Sequence, residues 1–273
     1  MAANLHGVWA KWERGVEQLA ALDKEVTAFC AQPHPYTIHV HQNREQGRYR
    51  FKIYPAWQPG VPWRWGAIIG EIVHDFRSAL DNLVCQLVAL SGGRPDVGHA
   101  FPVLAREPSQ GFAAHTRRQW TDARGRRRHG PLFGLSDQAV AIIEASQPFK
   151  LADGALLQRL HSLWNLDKHR DLAPVHVIAP QALLTPRDLV PATREDRFED
   201  SVYVVELTVP PGTDVDVEPQ RPTDVTLGEG TPVVLELKHM GQLIIVGLLL
   251  PAGELFGGLL GVGLPHVQHD FGP

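Results

Sequence analysis

Cysteine is scarce. The 273 residues hold only Cys30 and Cys85, far apart and without paired spacing, which argues against a disulfide framework or a C-x2-C zinc site. A reducing cytoplasm is the setting this usage implies. An excess of one charge is also missing: 26 Lys and Arg stand against 30 Asp and Glu, a formal charge of −4. There is no global pull toward polyanions, so a nucleic-acid site would have to be a local patch. The chain has no Gly-rich phosphate loop, no G-x-S-x-G elbow and no C-x-x-C pair, so no cofactor is indicated. Its N-terminus, MAANLHGVWAKWERGVEQLA, is interrupted by Lys11, Glu13 and Arg14 and reads as a mature helix rather than a signal peptide. Only segment 242–264, QLIIVGLLLPAGELFGGLLGVGL, approaches the ~20 apolar residues of a membrane span. Pro251, Glu254 and its glycines break it, and the expectation is a buried strand followed by a loop or short helix, with no membrane partner.

With 44% hydrophobic and 21% charged residues, the chain has the composition of a globular protein of one large domain or two modest ones. From Val8 to Cys30 apolar residues recur every three or four positions, predicting an amphipathic helix stopped by Pro33 and Pro35. YTIHVHQNREQGRYRFKIY alternates about an Asn43–Gly47 turn, predicting a β-hairpin over 36–54. His39 and His41 share one face of its first strand and read as exposed polar residues rather than metal ligands. A long helix is expected from about Trp65 to Leu90, then a loop-rich stretch over 92–134 with a short helix near Gly111–Thr121. Two more helices follow, one capped by Ser136 and stopped by Pro148, the other over 151–172 with Asp153 as its cap. Beyond residue 175, VHVIA, SVYVVELTV, DVDVE, DVTL, PVVLEL and QLIIVGLLL read as short strands. The predicted class is α+β: a mainly helical region over 1–174 and a β-rich antiparallel region over 175–273, packed as one domain or two, with the early hairpin joining the later sheet.

The helix containing HDFRSALDNLV carries a polar stripe. Ile69, Ile72, Phe76, Leu80 and Leu83 fall on one side. Glu71, Asp75, Ser78 and Asn82 fall on the other, with His74 and Asp81 beside them and Arg77 at the border. The 151–172 helix has a similar stripe of His161, Asn165, Lys168 and His169. Were the two to face each other, carboxylates, imidazoles, an Arg and a Lys would be concentrated in one small space, where pKa values shift.

These two motifs, H-D-x-R-S-A-L-D-N and L-x-N-x-D-K-H-R-x-L, resemble a family of uncharacterised bacterial proteins of similar length. That resemblance covers the two helices and implies no activity. More distantly, the first motif is similar to the HEPN superfamily of helical ribonucleases, which carry an Arg and, four to six residues later, a His on a helix, usually in a dimer. The resemblance implies a homodimer and a metal-independent cleavage in which His takes the ribose 2′-hydroxyl proton and Arg stabilises charge on the phosphate. The matching positions are Arg77 and Asn82. Because an amide is no general base, His74, His161 or His169 would have to act instead.

HTRRQWTDARGRRRHG, 115–130, clusters Arg117, Arg118, Arg124, Arg126, Arg127 and Arg128 around Trp120, with Asp122 as the lone carboxylate. Guanidinium groups grip phosphates and an exposed Trp stacks on bases, so RNA or another polyanion is the partner this loop suggests. Three functional expectations follow. The first is a HEPN-like RNA-binding or ribonuclease-type protein, with Arg77 on phosphate, a His as acid/base, and the basic loop and Lys168 on substrate. The second is a metal-dependent hydrolase built on Glu71, His74 and Asp75, completed by His161, Asp167 and His169. The third is a binding module in which Asp81 pairs with Arg77, Asp167 or Asp171 pairs with Arg170, and Glu71, Asp75 and Asn165 belong to a structural polar network.

Overall fold

The computed structural model describes residues 4–32, 36–55, 61–151, 155–169, 176–178, 182–199, 202–219, 224–226 and 233–255. They form α1 (His6–Cys30), the hairpin β1 (Tyr36–Asn43) and β2 (Arg48–Pro55), and α2 (Arg64–Leu90). Next come α3 (Phe112–Arg117), strands β3 (Gln119–Thr121) and β4 (Arg127–His129), α4 (Asp137–Ala145) and α5 (Ala155–His169). Short strands follow: β5 (His176–Ile178), β6 (Ala182–Thr185), β7 (Thr193–Glu199), β8 (Val202–Thr208), β9 (Asp216–Pro219) and β10 (Asp224–Thr226). A last helical stretch runs through α6 (Val233–Ile244), a π-helical turn (Ile245–Leu249) and α7 (Leu250–Leu255). The class is α+β, as the patterning predicts.

The chain divides into two compact units. The first takes Met1–Ala20, Ile68–Asp171 and Glu236–Pro273, the second Ala21–Ala67 and Leu172–Leu235. In the second, β2 pairs with β8, joining the β1–β2 and β7–β8 hairpins into an antiparallel sheet of order β1-β2-β8-β7. The early hairpin thus joins the later sheet, and its register sets Ile38 opposite Ile53 and Val40 opposite Phe51. Tyr49, Phe51, Ile53, Val205 and Leu207 line one buried face, covered by Ala182, Leu184 and Val217 of the β6–β9 pair. The opposite face carries Glu206 joined to Arg50 and Arg197, beside a buried Val204. His39 and His41 stand across from Lys52 and Arg50.

The first unit is mainly helical, with the β3–β4 pair as its strands among the described residues. Phe76 of α2 is fully buried, and its ring lies against glycines of two other helices. A Cβ added at Gly15 of α1 would stand 2.7 Å from the ring and one at Gly241 of α6 would stand 3.2 Å from it. Trp12 of α1 donates through Nε1 to the Gly241 carbonyl at 3.1 Å, satisfying a buried indole N–H. In α4, Ser136 caps the helix as expected, its hydroxyl accepting from the Ala139 N–H.

Two sequence expectations are corrected. PVVLEL and QLIIVGLLL are not strands: residues 233–255 are helical. The buried Val233, Leu237, Met240, Ile244 and Leu248 recur at steps of four and three, a helical period that shows only across both runs together. Pro251, which suggests a break, is accommodated instead. Proline has no N–H and its ring clashes with the carbonyl four residues back. The π turn directly before it widens the helix there, Leu250 N–H reaching the Ile245 carbonyl. Val233–Leu255 is long and apolar enough to cross a membrane, with a mean hydropathy of 1.7, and half of that window is buried inside the protein. The second correction concerns the basic loop, whose residues 119–129 form a two-stranded antiparallel ribbon. Asp153, the expected cap, lies outside the described residues.

Candidate functional site

Arg77 is buried on α2 with a side chain only 5% exposed. Burial lowers its pKa from the ordinary value, while the charge of Asp81 and a hydrogen bond to it act in the other direction. Its Nη2 donates to Asp81 Oδ1 at 2.9 Å, one helical turn on, and to the Phe101 carbonyl. The same Asp81 oxygen accepts the Phe101 N–H at 2.8 Å, so the Arg77–Asp81 pair anchors the chain that follows α2. Trp164 of α5 covers the guanidinium, with Cζ 5.0 Å from the ring centroid, and Lys168 Nζ stands 3.1 Å from the same centroid.

Beside this pair, His161 accepts from Asn165 Nδ2 at 3.0 Å through Nε2, so its Nδ1 carries the proton. Burial lowers the His161 pKa first, and the charges of Arg77 and Lys168 lower it further against Asp81. The ring is therefore neutral near pH 7. Arg77 Nε and Nη1, His161 Nδ1 and Trp164 Nε1 are buried without a hydrogen-bond partner among the described residues. Asp167, three residues beyond Trp164, lies over Gly70 of α2, where an added Cβ would stand 2.2 Å from its Oδ1. Glycine is what lets this carboxylate in.

The remainder of the α2 stripe turns to α1. Asp75 is buried between Lys11 Nζ and Arg14 Nε, each 3.2 Å away. Glu71 accepts from Gln18 at 2.8 Å, and exposed His74 bonds Ser78. The stripe is thus divided between two neighbours: Arg77 and Asp81 meet α5, Glu71 and Asp75 meet α1. Among the described residues the E-x-x-H pair is not grouped with His161 or Asp167 as a metal set. Half-buried Asn82 has no hydrogen bond to Arg77 or His161 among the described residues. The His169 side chain, Arg170 and Asp171 lie outside the described residues.

In the basic ribbon, Trp120 is exposed, with Arg118 Cζ 4.7 Å from its ring centroid and Arg128 directly opposite across the strands. Asp122 organises the turn: Oδ1 accepts the backbone N–H groups of Arg124 and Arg126, and Oδ2 accepts Nε of Arg126 and Arg128. These bonds, led by the Arg126 N–H, hold its carboxyl below the usual range. Gly125, at φ +74°, supplies the left-handed residue of the turn. Arg117 serves the scaffold, tying Asp137 at the start of α4 to the Leu135 carbonyl. Arg118, Arg124 and Arg127 carry no salt bridge among the described residues and point their charge to solvent.

A cluster missed in the sequence lies at the base of this ribbon. Asp96 and His99, in the connection after α2, meet His129 at the end of β4. Spacing across 33 residues carries no local signal, although the D-x-x-H of Asp96 and His99 was there to be read. No family model, curated protein or solved structure matches this chain.

Proposed function

We propose that the protein is an RNA-binding module whose contact surface is the β3–β4 ribbon. The observation that carries this is the exposed Trp120 with Arg118 on its face, on a ribbon whose Arg118, Arg124 and Arg127 carry no salt bridge among the described residues. A planar aromatic presented among cations offers a stacking platform to a base and counter-charges to the adjoining phosphates, the arrangement that single strands use. Asp122 fixes the turn, so the platform is preorganised. Neither the net charge of −4 nor the pairing of Arg126 and Arg128 removes this patch.

Fluorescence anisotropy with a labelled single-stranded oligoribonucleotide tests the proposal. Binding should weaken steeply with salt. Trp120→Ala should cost ~1–3 kcal/mol, about the worth of one base–aromatic stack, and Arg127→Ala should lessen the salt slope by about one unit. Wild-type affinity in Trp120→Ala would sink the assignment.

A second reading, ribonuclease-type chemistry at Arg77, is favoured by the buried N–H groups of Arg77, His161 and Trp164 that lack a hydrogen-bond partner among the described residues in one neighbourhood. These are donors suited to a phosphate oxygen. As the ring stands, neutral His161 presents an N–H at its free nitrogen, a hydrogen-bond donor to a phosphate oxygen rather than a general acid. His161→Gln would abolish metal-independent RNA cleavage if this chemistry operates, and an unchanged cleavage rate would dismiss it.

A further inference from the structure

We propose that Asp96, His99 and His129 form a binding site for one divalent transition-metal ion of the zinc class. Three facts of geometry support it. His129 Nε2 lies 2.9 and 3.1 Å from the two Asp96 oxygens, and His99 Nδ1 lies 3.0 Å from Oδ1. All the ligand atoms fall within 4.8 Å of one another. A tetrahedral zinc with bonds of about 2.0–2.1 Å needs ligand atoms about 3.3 Å apart, so small adjustments admit the ion.

The outer contacts are those of a metal site. His99 Nε2 donates to the Phe133 carbonyl at 3.1 Å, and His129 Nδ1 donates to the Gly130 carbonyl at 2.8 Å. Each imidazole is thereby held by its far nitrogen on a backbone carbonyl, with the near nitrogen turned to a common point beside the carboxylate. Such partners fix tautomer and ring orientation in metal-bound histidines. The His99 side chain is 3% exposed and that of Asp96 is 55% exposed. The site is anchored on its protein side and open on its carboxylate side, which leaves a coordination position for water. Gly98 makes the approach feasible, since an added Cβ would stand 2.8 Å from His129 Cε1.

The competing account is an ion pair. A proton on His129 Nε2 would bind Asp96, and the Asp96 N–H already donates to His99 Nδ1 at 3.0 Å. Metal entry displaces that proton and exchanges the backbone bond for coordination. The two accounts separate cleanly, because the ion pair with its backbone bond needs no ion.

The test uses the full chain, stripped with a chelator and titrated with Co2+ and then Zn2+. One Co2+ per chain should bind with a visible spectrum that Zn2+ abolishes, and Zn2+ should raise the Tm. Asp96→Asn and His129→Gln should each weaken Zn2+ binding by more than about tenfold, since outer-sphere changes alone cost that much. His99→Gln should do the same. If circular dichroism shows that this buried variant is unfolded, the two more exposed variants decide. Absence of stoichiometric Co2+ binding in the wild type, or wild-type Zn2+ affinity in both Asp96→Asn and His129→Gln, would overturn the site.

Discussion

Phe76 shows how much a single position depends on what its neighbours lack. Its ring occupies space that a methyl group on Gly15 would contest at 2.7 Å. Gly15→Ala should therefore destabilise the protein by ~1–3 kcal/mol despite the better helix propensity of alanine. Urea unfolding measures this, and combining Gly15→Ala with Phe76→Leu should recover part of the loss. The sequence places Phe76 on the apolar side of its helix correctly but leaves Gly15 as a mere weak helix former. A glycine does not announce which ring it admits. Arg77 is similar: its polar position on the helix is legible, whereas its burial under Trp164 comes from α5, which no local pattern connects to it.

At the level of elements, the β3–β4 ribbon depends on one carboxylate. Asp122 accepts two backbone N–H groups and two guanidinium groups, so Asp122→Ala should unlock the turn and speed amide exchange at Arg124 and Arg126. Because the folded pKa is depressed, its contribution is present above the unfolded value of 3.8 and is lost only as pH falls through the lower folded value. The Asp122 carboxyl carbon shift followed by NMR against pH should thus titrate below 3.8. The ribbon escaped prediction because the three-residue strands QWT and RRH lack apolar alternation, although Asp122 and Gly125 are turn residues. The opposite error befell residues 233–255, where apolar β-branched residues resemble strands while the period linking Val233 to Leu248 is helical.

For the whole molecule, α+β order follows from composition shifts along the chain. The distribution of segments between the two units does not, because it depends on contacts between distant stretches. Overall stability should carry the mark of His161. Its folded pKa lies below the ordinary 6.5, so between the two values the unfolded chain binds more protons and stability falls as pH drops through 6.5. Denaturant midpoints taken from pH 7.5 to 5 should decline less steeply in His161→Gln than in the wild type.

The hydrogen bond from Trp12 to Gly241 joins residues 229 positions apart. On the ribosome, that fact becomes a matter of time. At about 5–20 residues per second, the first helix waits on the order of ten seconds or more before its partner exists. Through that interval Trp12, Val16 and Phe76 have no completed core to enter, and the nascent chain depends on chaperones or on provisional packing. Slow synthesis of the codons just before those for Gly241 should therefore lower the yield of folded protein more than equal slowing before those for α1.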